Sequence, residues 1–382
     1  MIHDLGICTH LNASPHSYIR ALRGLFLILA ISATAAAANA QEYTAVDLGT
    51  LGGGSSHAYD INDAGTIVGS SQTSSGSSHA FTYSNGSMTD LGTLGQSGSA
   101  AFGINASGTI VGFLQTSNGS TYDAFSYGNG GMQDLGTFGQ VVSSANAINS
   151  IGTIVGTTGD NNSGGVRIAY SYSNGSMAAV PTLGGTLNYA MGINDAGTIV
   201  GTSYGPGNNG PHAFSYRDGT VQDLGTLTGS VSRGIGINNS GQIVGDASTV
   251  GNQDASYHAF LYANGAMKDL GTLGGAYSTA WGINNAGTVF GQAETASGSY
   301  RAFSYSDGVM TDLNSLVNLS GITLDFAYAG NDSGQVVASG VATDGTTHAF
   351  LLTPIPEPST YAAIFGIATF GYVAIRRRRI AV

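Results

Sequence analysis

The chain is poor in the residues that usually announce chemistry. It holds one cysteine, one tryptophan and 11 basic residues in 382, and charged residues make up 9% of it. The single Cys8 allows no intrachain disulfide and no cysteine-based metal site. A charged fraction of ~25% is usual for soluble domains, so this surface must be built largely from uncharged polar groups. Between residues 41 and 353 the only cations are Arg167, Arg217, Arg233, Lys268 and Arg301, and the whole chain carries a net charge of −11. Phosphate binding needs clustered lysine and arginine, so no nucleic-acid partner is expected. Helical periodicity is missing too, and 60 glycines oppose helices. With 42% hydrophobic residues, a disordered chain is equally excluded.

What is present is one unit, repeated. Asp-Leu-Gly-Thr-Leu begins at Asp47, Asp90, Asp223 and Asp269; a copy from Asp134 ends in Phe138, and weaker copies start at Ala179 and Asp312. Ile-Asn-x-x-Gly begins at Ile61, Ile104, Ile148, Ile193, Ile237 and Ile283, and decays to Gly330-Asn331. His-Ala-Phe begins at His79, His212, His258 and His348, with relatives at Asp123, Ile168 and Arg301. The Asp-Leu-Gly copies are spaced by 43 to 46 residues.

Each unit reads as four short strands, in the first copy 56–62, 66–70, 80–83 and 88–91. The turn between strands one and two ends in glycine in every copy, from Gly65 to Gly334, which suits a left-handed glycine bulge. The turn between strands three and four is Asn-Gly or Asp-Gly, the strongest short hairpin signal. Four-stranded repeats of this length suggest propeller blades. Residues 43–51 form a fourth-strand block with no earlier partner, and the last unit lacks one, so the N-terminal strand can close a ring and remove both open edges. The fold expected is all-β: a seven-bladed β-propeller of four-stranded repeats over 43–353, closed by the N-terminal strand and followed by a single C-terminal apolar helix. A linear solenoid would need polar caps.

First-strand positions alternate in size. Ala58, Ala101, Ala145, Ala190, Gly234, Ala280 and Ala327 are small, as are Gly103, Ala147, Gly192, Gly236, Gly282 and Ala329, with Asp60 the exception. Between them stand Tyr59, Phe102, Asn146, Met191, Ile235, Trp281 and Tyr328. Near a crowded axis, a small face is expected to receive a neighbouring blade's large one.

Both termini read as targeting segments. Arg20 and Arg23 precede an apolar run ending in Ala38-Asn39-Ala40, the pattern of a signal peptide over 1–40 cleaved after Ala40. Residues 361–375 carry no charge and are followed by Arg376, Arg377, Arg378 and Arg379, an arrangement that favours a membrane helix with a cytoplasmic C-terminus. Pro356-Glu357-Pro358 stands just before it. These three parts of the tail, 354–382, resemble the PEP-CTERM sorting signal. The resemblance implies recognition by an exosortase, a membrane transpeptidase, in a Gram-negative bacterium, with delivery to the cell surface or the exopolysaccharide matrix. The His-Ala-Phe copies resemble the HAF family of extracellular repeats, whose implication is location rather than chemistry.

The remaining motifs carry little chemistry. Gly205-Pro206-Gly207-Asn208-Asn209-Gly210 matches a dinucleotide-binding pattern but lacks the strand and helix around it. No carboxylate pair, Ser-His-Asp set or metal cluster stands out, so no catalytic residue, metal or cofactor is expected, and a scaffold role is favoured over a polysaccharide lyase or hydrolase. Length variation falls between strands two and three of each unit, where recognition usually resides. Tyr204, Asp246, Asp254, Tyr257, Glu294 and Tyr300 in those loops are the candidates for contact with an exopolysaccharide.

Overall fold

A computed structural model describes residues 41–117, 119–160, 165–249 and 256–356. Ala38, Ala40, Asp254, Glu357, Pro358, the 361–375 segment and the four terminal arginines lie outside the described residues. Among the described residues there are 28 strands and two short 3-10 turns. The first five strands are β1 (Tyr43–Asp47), β2 (Gly52–Ile61), β3 (Ile67–Thr73), β4 (Ser78–Ser84) and β5 (Ser87–Gly92). β2 to β5 form an antiparallel meander, and each later unit repeats it, giving a propeller-like fold of four-stranded blades. The last meander has three strands of its own, Ile322–Gly330, Val336–Ala342 and Thr347–Pro354. β1 supplies the fourth, pairing antiparallel from Tyr43 opposite Pro354 to Asp47 opposite Phe350.

The turn chemistry explains why these residues fold this way. Gly65, Gly108, Gly152, Gly197, Gly241, Gly287 and Gly334 all take φ between +77° and +86°. Asn85-Gly86, Asn174-Gly175, Asp218-Gly219, Asn264-Gly265 and Asp307-Gly308 place both turn residues at positive φ, as a type I′ hairpin demands. The second blade departs from this. There Gly128 still pairs with Gly131 across Asn129-Gly130, but the positive φ, +90°, falls on Gly131.

One device recurs in the innermost strands. In every blade the register slips across the middle of the first strand, for example between Ala58 and Asp60, leaving Tyr59 unpaired. The slips leave Phe102, Asn146, Met191, Ile235, Trp281 and Tyr328 in the same position. A bulge re-aims the extra side chain, and all seven line the axial cavity. The expectation that these large residues pack onto a neighbour's small face is therefore corrected. They meet one another on the axis, with Tyr59 ring centroids 5.4 Å from Phe102 and 5.3 Å from Tyr328, and Trp281 5.9 Å from Tyr328. The small positions face the next blade's backbone instead: a Cβ on Gly282 would lie 2.5 Å from the Tyr328 carbonyl oxygen.

The cores lie between blades. One cluster joins Ala58, Ile61, Ile67 and Phe81 to Val337 and Ala349 of the last meander. Phe81, Phe125, Tyr170, Phe214, Phe260, Phe303 and Phe350, the aromatic position of the His-Ala-Phe block, are all at most 1% exposed. Burying such a ring is worth about 1.5–3 kcal/mol, which is why this block recurs.

Candidate functional site

The two faces of the fold do different work. The Ile-Asn turns gather at one end of the axis and form a closed circuit of side-chain to main-chain hydrogen bonds. Asn62 Nδ2 donates to the Asn105 carbonyl at 3.1 Å, Asn105 to Asn149 at 3.1 Å and Asn149 to Asn194 at 3.3 Å. The circuit continues from Asn194 to Asn238, Asn284 and Asn331, and Asn331 returns to Asn62 at 3.2 Å. Each of these asparagines also accepts from its own turn, as Asn62 Oδ1 does from Thr66 N at 3.0 Å. The asparagine amide donates to the next blade and accepts from its own turn at once, so these turns hold the blades together.

Just above it, Asp60 occupies the position that glycine or alanine fills in the other blades. Its carboxylate accepts from Ile61 N at 2.8 Å and from Ile104 N of the next blade at 2.9 Å. Burial pushes its pKa up to about 7, and the two backbone donors offset only part of that rise.

On the opposite face, the His-Ala-Phe and Asp-Leu-Gly blocks come together. His79, His212, His258 and His348 pair with Asp90, Asp223, Asp269 and Asp47 at 2.8–2.9 Å. Their repetition around the rim and their second bonds, such as Gly92 N to Asp90 Oδ1 at 2.7 Å, make them fastenings of strand four. The sequence carried a sign of this pairing: the blade with Ala179 in place of the aspartate has Ile168 in place of the histidine.

One feature of that face does not repeat. Between the fourth and fifth blades a cleft of about 260 Å³ opens at the mouth of the axis, lined by Tyr189, Met191, Tyr204, Arg233 and Trp281 among others. Arg233 Nε and Nη2 donate to the two Asp246 oxygens at 2.8 and 2.7 Å. Asp246 is 0% exposed whereas the Arg233 side chain is 53% exposed, and Thr279 Oγ1 braces the carboxylate at 3.0 Å. The Arg233 guanidinium lies 5.8 Å from the Tyr257 ring centroid. Trp281 Nε1 is buried without a hydrogen-bond partner among the described residues.

The structure thus brings Tyr204, Asp246 and Tyr257 of the expected loop residues to one place, around Arg233. Glu294 and Tyr300 stand apart from them in the sixth blade, where Glu294 Oε2 accepts from Ala276 N at 2.7 Å and Tyr300 is exposed. Asp254 lies outside the described residues. Sequence reasoning passed over Arg233, Tyr189 and Trp281. The available signal was departure from the repeat, since Arg233 fills with a cation a position taken by His57, Ala100, Ser144, Tyr189, Thr279 and Phe326 elsewhere.

Residues 354–379 match the family described as the PEP-CTERM protein-sorting motif. The chain carries that signal at its C-terminus, where an exosortase recognises it, and is an exported protein directed through the membrane toward the cell surface. No curated protein sequence matches the chain. Among solved structures, the β-propeller domain of the Trilobed protease from Pyrococcus furiosus is similar with a TM-score of 0.52 and 9% identity, over 79% of this chain and 98% of that one. The acylaminoacyl peptidase of Pyrococcus horikoshii is similar with a TM-score of 0.51 and 10% identity, over 81% of this chain and 54% of that one. At these identities the likeness is one of fold alone. The Pyrococcus furiosus domain is described as having an open velcro topology, whereas here β1 pairs with the last meander.

Proposed function

We propose that the mature protein is a seven-bladed propeller that serves as a rigid, non-enzymatic scaffold at the cell surface or in an exopolysaccharide matrix, its repeats being of the HAF type. One observation carries this reading: the sorting motif begins at residue 354, where the blade-closing strand Thr347–Pro354 ends. The whole ring is then the cargo of the signal. Sorting in a Gram-negative cell would proceed by removal of the 1–40 leader, transient anchoring through 361–375 with the Arg376–Arg379 block inside, and processing by the exosortase. Tyr43 pairs with Pro354, and Pro354 lies against the Ile-Asn turn at Gly334. The described chain therefore ends on the side of the Ile-Asn turns. Changing Pro356, Glu357 and Pro358 to alanine should retain the protein in the membrane fraction, measured by fractionation and surface labelling. Unchanged delivery to the surface rejects the sorting route.

A second reading is favoured by the cleft itself. Convergent aromatic and polar groups in a preformed pocket are the usual form of a ligand site, and exopolysaccharide is the ligand that export to the matrix would present to it.

A further inference from the structure

We propose that the cleft between the fourth and fifth blades binds a carboxylated saccharide, a uronate residue of an acidic polysaccharide, through Arg233 with Tyr204 and Trp281. The proposal rests on the glycan-binding reading of the same cleft and names its ligand class.

Charge is the first argument. The chain carries −11 overall and has five cations between residues 41 and 353. Two of those five stand at this mouth, Arg233 within electrostatic reach of Tyr204 and Arg167 beside Tyr189. Among the described residues, Asp246 is the carboxylate hydrogen-bonded to Arg233, and Arg167 donates to the Asp160 main-chain carbonyl, so two cations gather at one place in an acidic protein.

Geometry is the second. A guanidinium has five N–H donors, and Asp246 engages two of those on Arg233. The remaining three are held in a fixed orientation by a fully buried anchor and a half-exposed stem. A planar fork of this kind matches a carboxylate, and fixing it beforehand reduces the entropy lost on binding.

Apolar surface is the third. Tyr204, Tyr189, Met191, Ile235 and Trp281 line the rest of the cleft. A sugar ring offers an apolar C–H face for these aromatic side chains and hydroxyls for the Thr202 and Tyr204 side chains that also line the cleft. A polyphosphate ligand offers no such face and would call for more cations than stand here.

The test is calorimetric titration of the full-length purified protein with tetragalacturonate and with the neutral tetragalactose of equal length. The acidic oligomer should bind at least tenfold more tightly, and rising salt should weaken it. Arg233→Gln alone would strand the buried Asp246 charge and risk unfolding, so the informative variants are the double change Arg233→Gln/Asp246→Asn and Tyr204→Ala. With melting temperature preserved, the double variant should lose the preference for the acidic oligomer, and Tyr204→Ala should weaken both oligomers tenfold or more. Equal binding of the two sugars overturns the carboxylate inference and leaves the glycan reading standing. Binding of neither rejects both. Binding that neither variant changes places the site elsewhere on the protein.

Discussion

Asp60 is the clearest case of a single residue departing from a repeated plan. At the equivalent position the other blades have Gly103, Ala147, Gly192, Gly236, Gly282 and Ala329, and here a carboxyl group is enclosed beside the axis. Unfolded, it ionises near pH ~3.9; folded, burial holds it at about 7. Between those values the native state keeps a proton that the unfolded chain has released. Stability should therefore fall as pH rises from about 4 to about 7, then level off. One pKa unit corresponds to about 1.4 kcal/mol, so the decline should be on the order of a few kcal/mol. Asp60→Ala, which restores the residue of the third and last blades, should flatten the dependence. Denaturant melts at a series of pH values measure it, and a variant that retained the wild-type slope would assign the effect to another group.

At the scale of the strand, the bulge governs the glycines. Opposite each bulge the second strand has Gly69, Gly112, Gly156, Gly201, Gly245 or Gly291, and a Cβ there would lie 1.8–2.1 Å from a first-strand carbonyl oxygen. The last blade has Ala338 at this place, and its first strand carries a second bulge between Leu324 and Phe326. These glycines recur at one position of the repeat; their cause is not legible there, because a bulge has no signature apart from the register it breaks. Gly236 acts differently, against the next blade: a Cβ on it would lie 3.2 Å from the Trp281 carbonyl oxygen and 3.1 Å from Val244 Cγ2. Gly236→Leu should therefore destabilise by about 1–3 kcal/mol through overpacking. A melting temperature equal to wild type would contradict this packing.

At the scale of the whole molecule, two kinds of hydrogen bonding add to the apolar core that joins the first and last meanders. The backbone ladder of β1 with Thr347–Pro354 joins the chain ends at the rim, and the asparagine circuit joins the blades at the axis. Deleting residues 43–47 removes the ladder and the Asp47–His348 pair while leaving the circuit. The bared edge of Thr347–Pro354 is then a template for pairing with another chain. The truncated protein should melt over a broader, lower range and self-associate, as measured by calorimetry and size-exclusion chromatography. A sharp melt of a monomer at the wild-type temperature would show that the ladder is dispensable.

The scarcity of charge and the excess of glycine prove to be parts of one plan, and much of that plan is local. Turn residues, strand alternation and the sorting tail depend on neighbours in the chain, so the sequence by itself determined the four-stranded unit, its hairpins and the export route. The unmatched 43–51 block even pointed to how the ends meet. Only the tertiary structure decided where the large first-strand residues go, because a one-residue slip against a partner strand sends Trp281 and Tyr328 to the axis. It also decided which loop residues form a site. Tyr204, Arg233 and Asp246 come from two blades and meet because the repeats are bent round an axis, a distance relation that no spacing along the chain encodes.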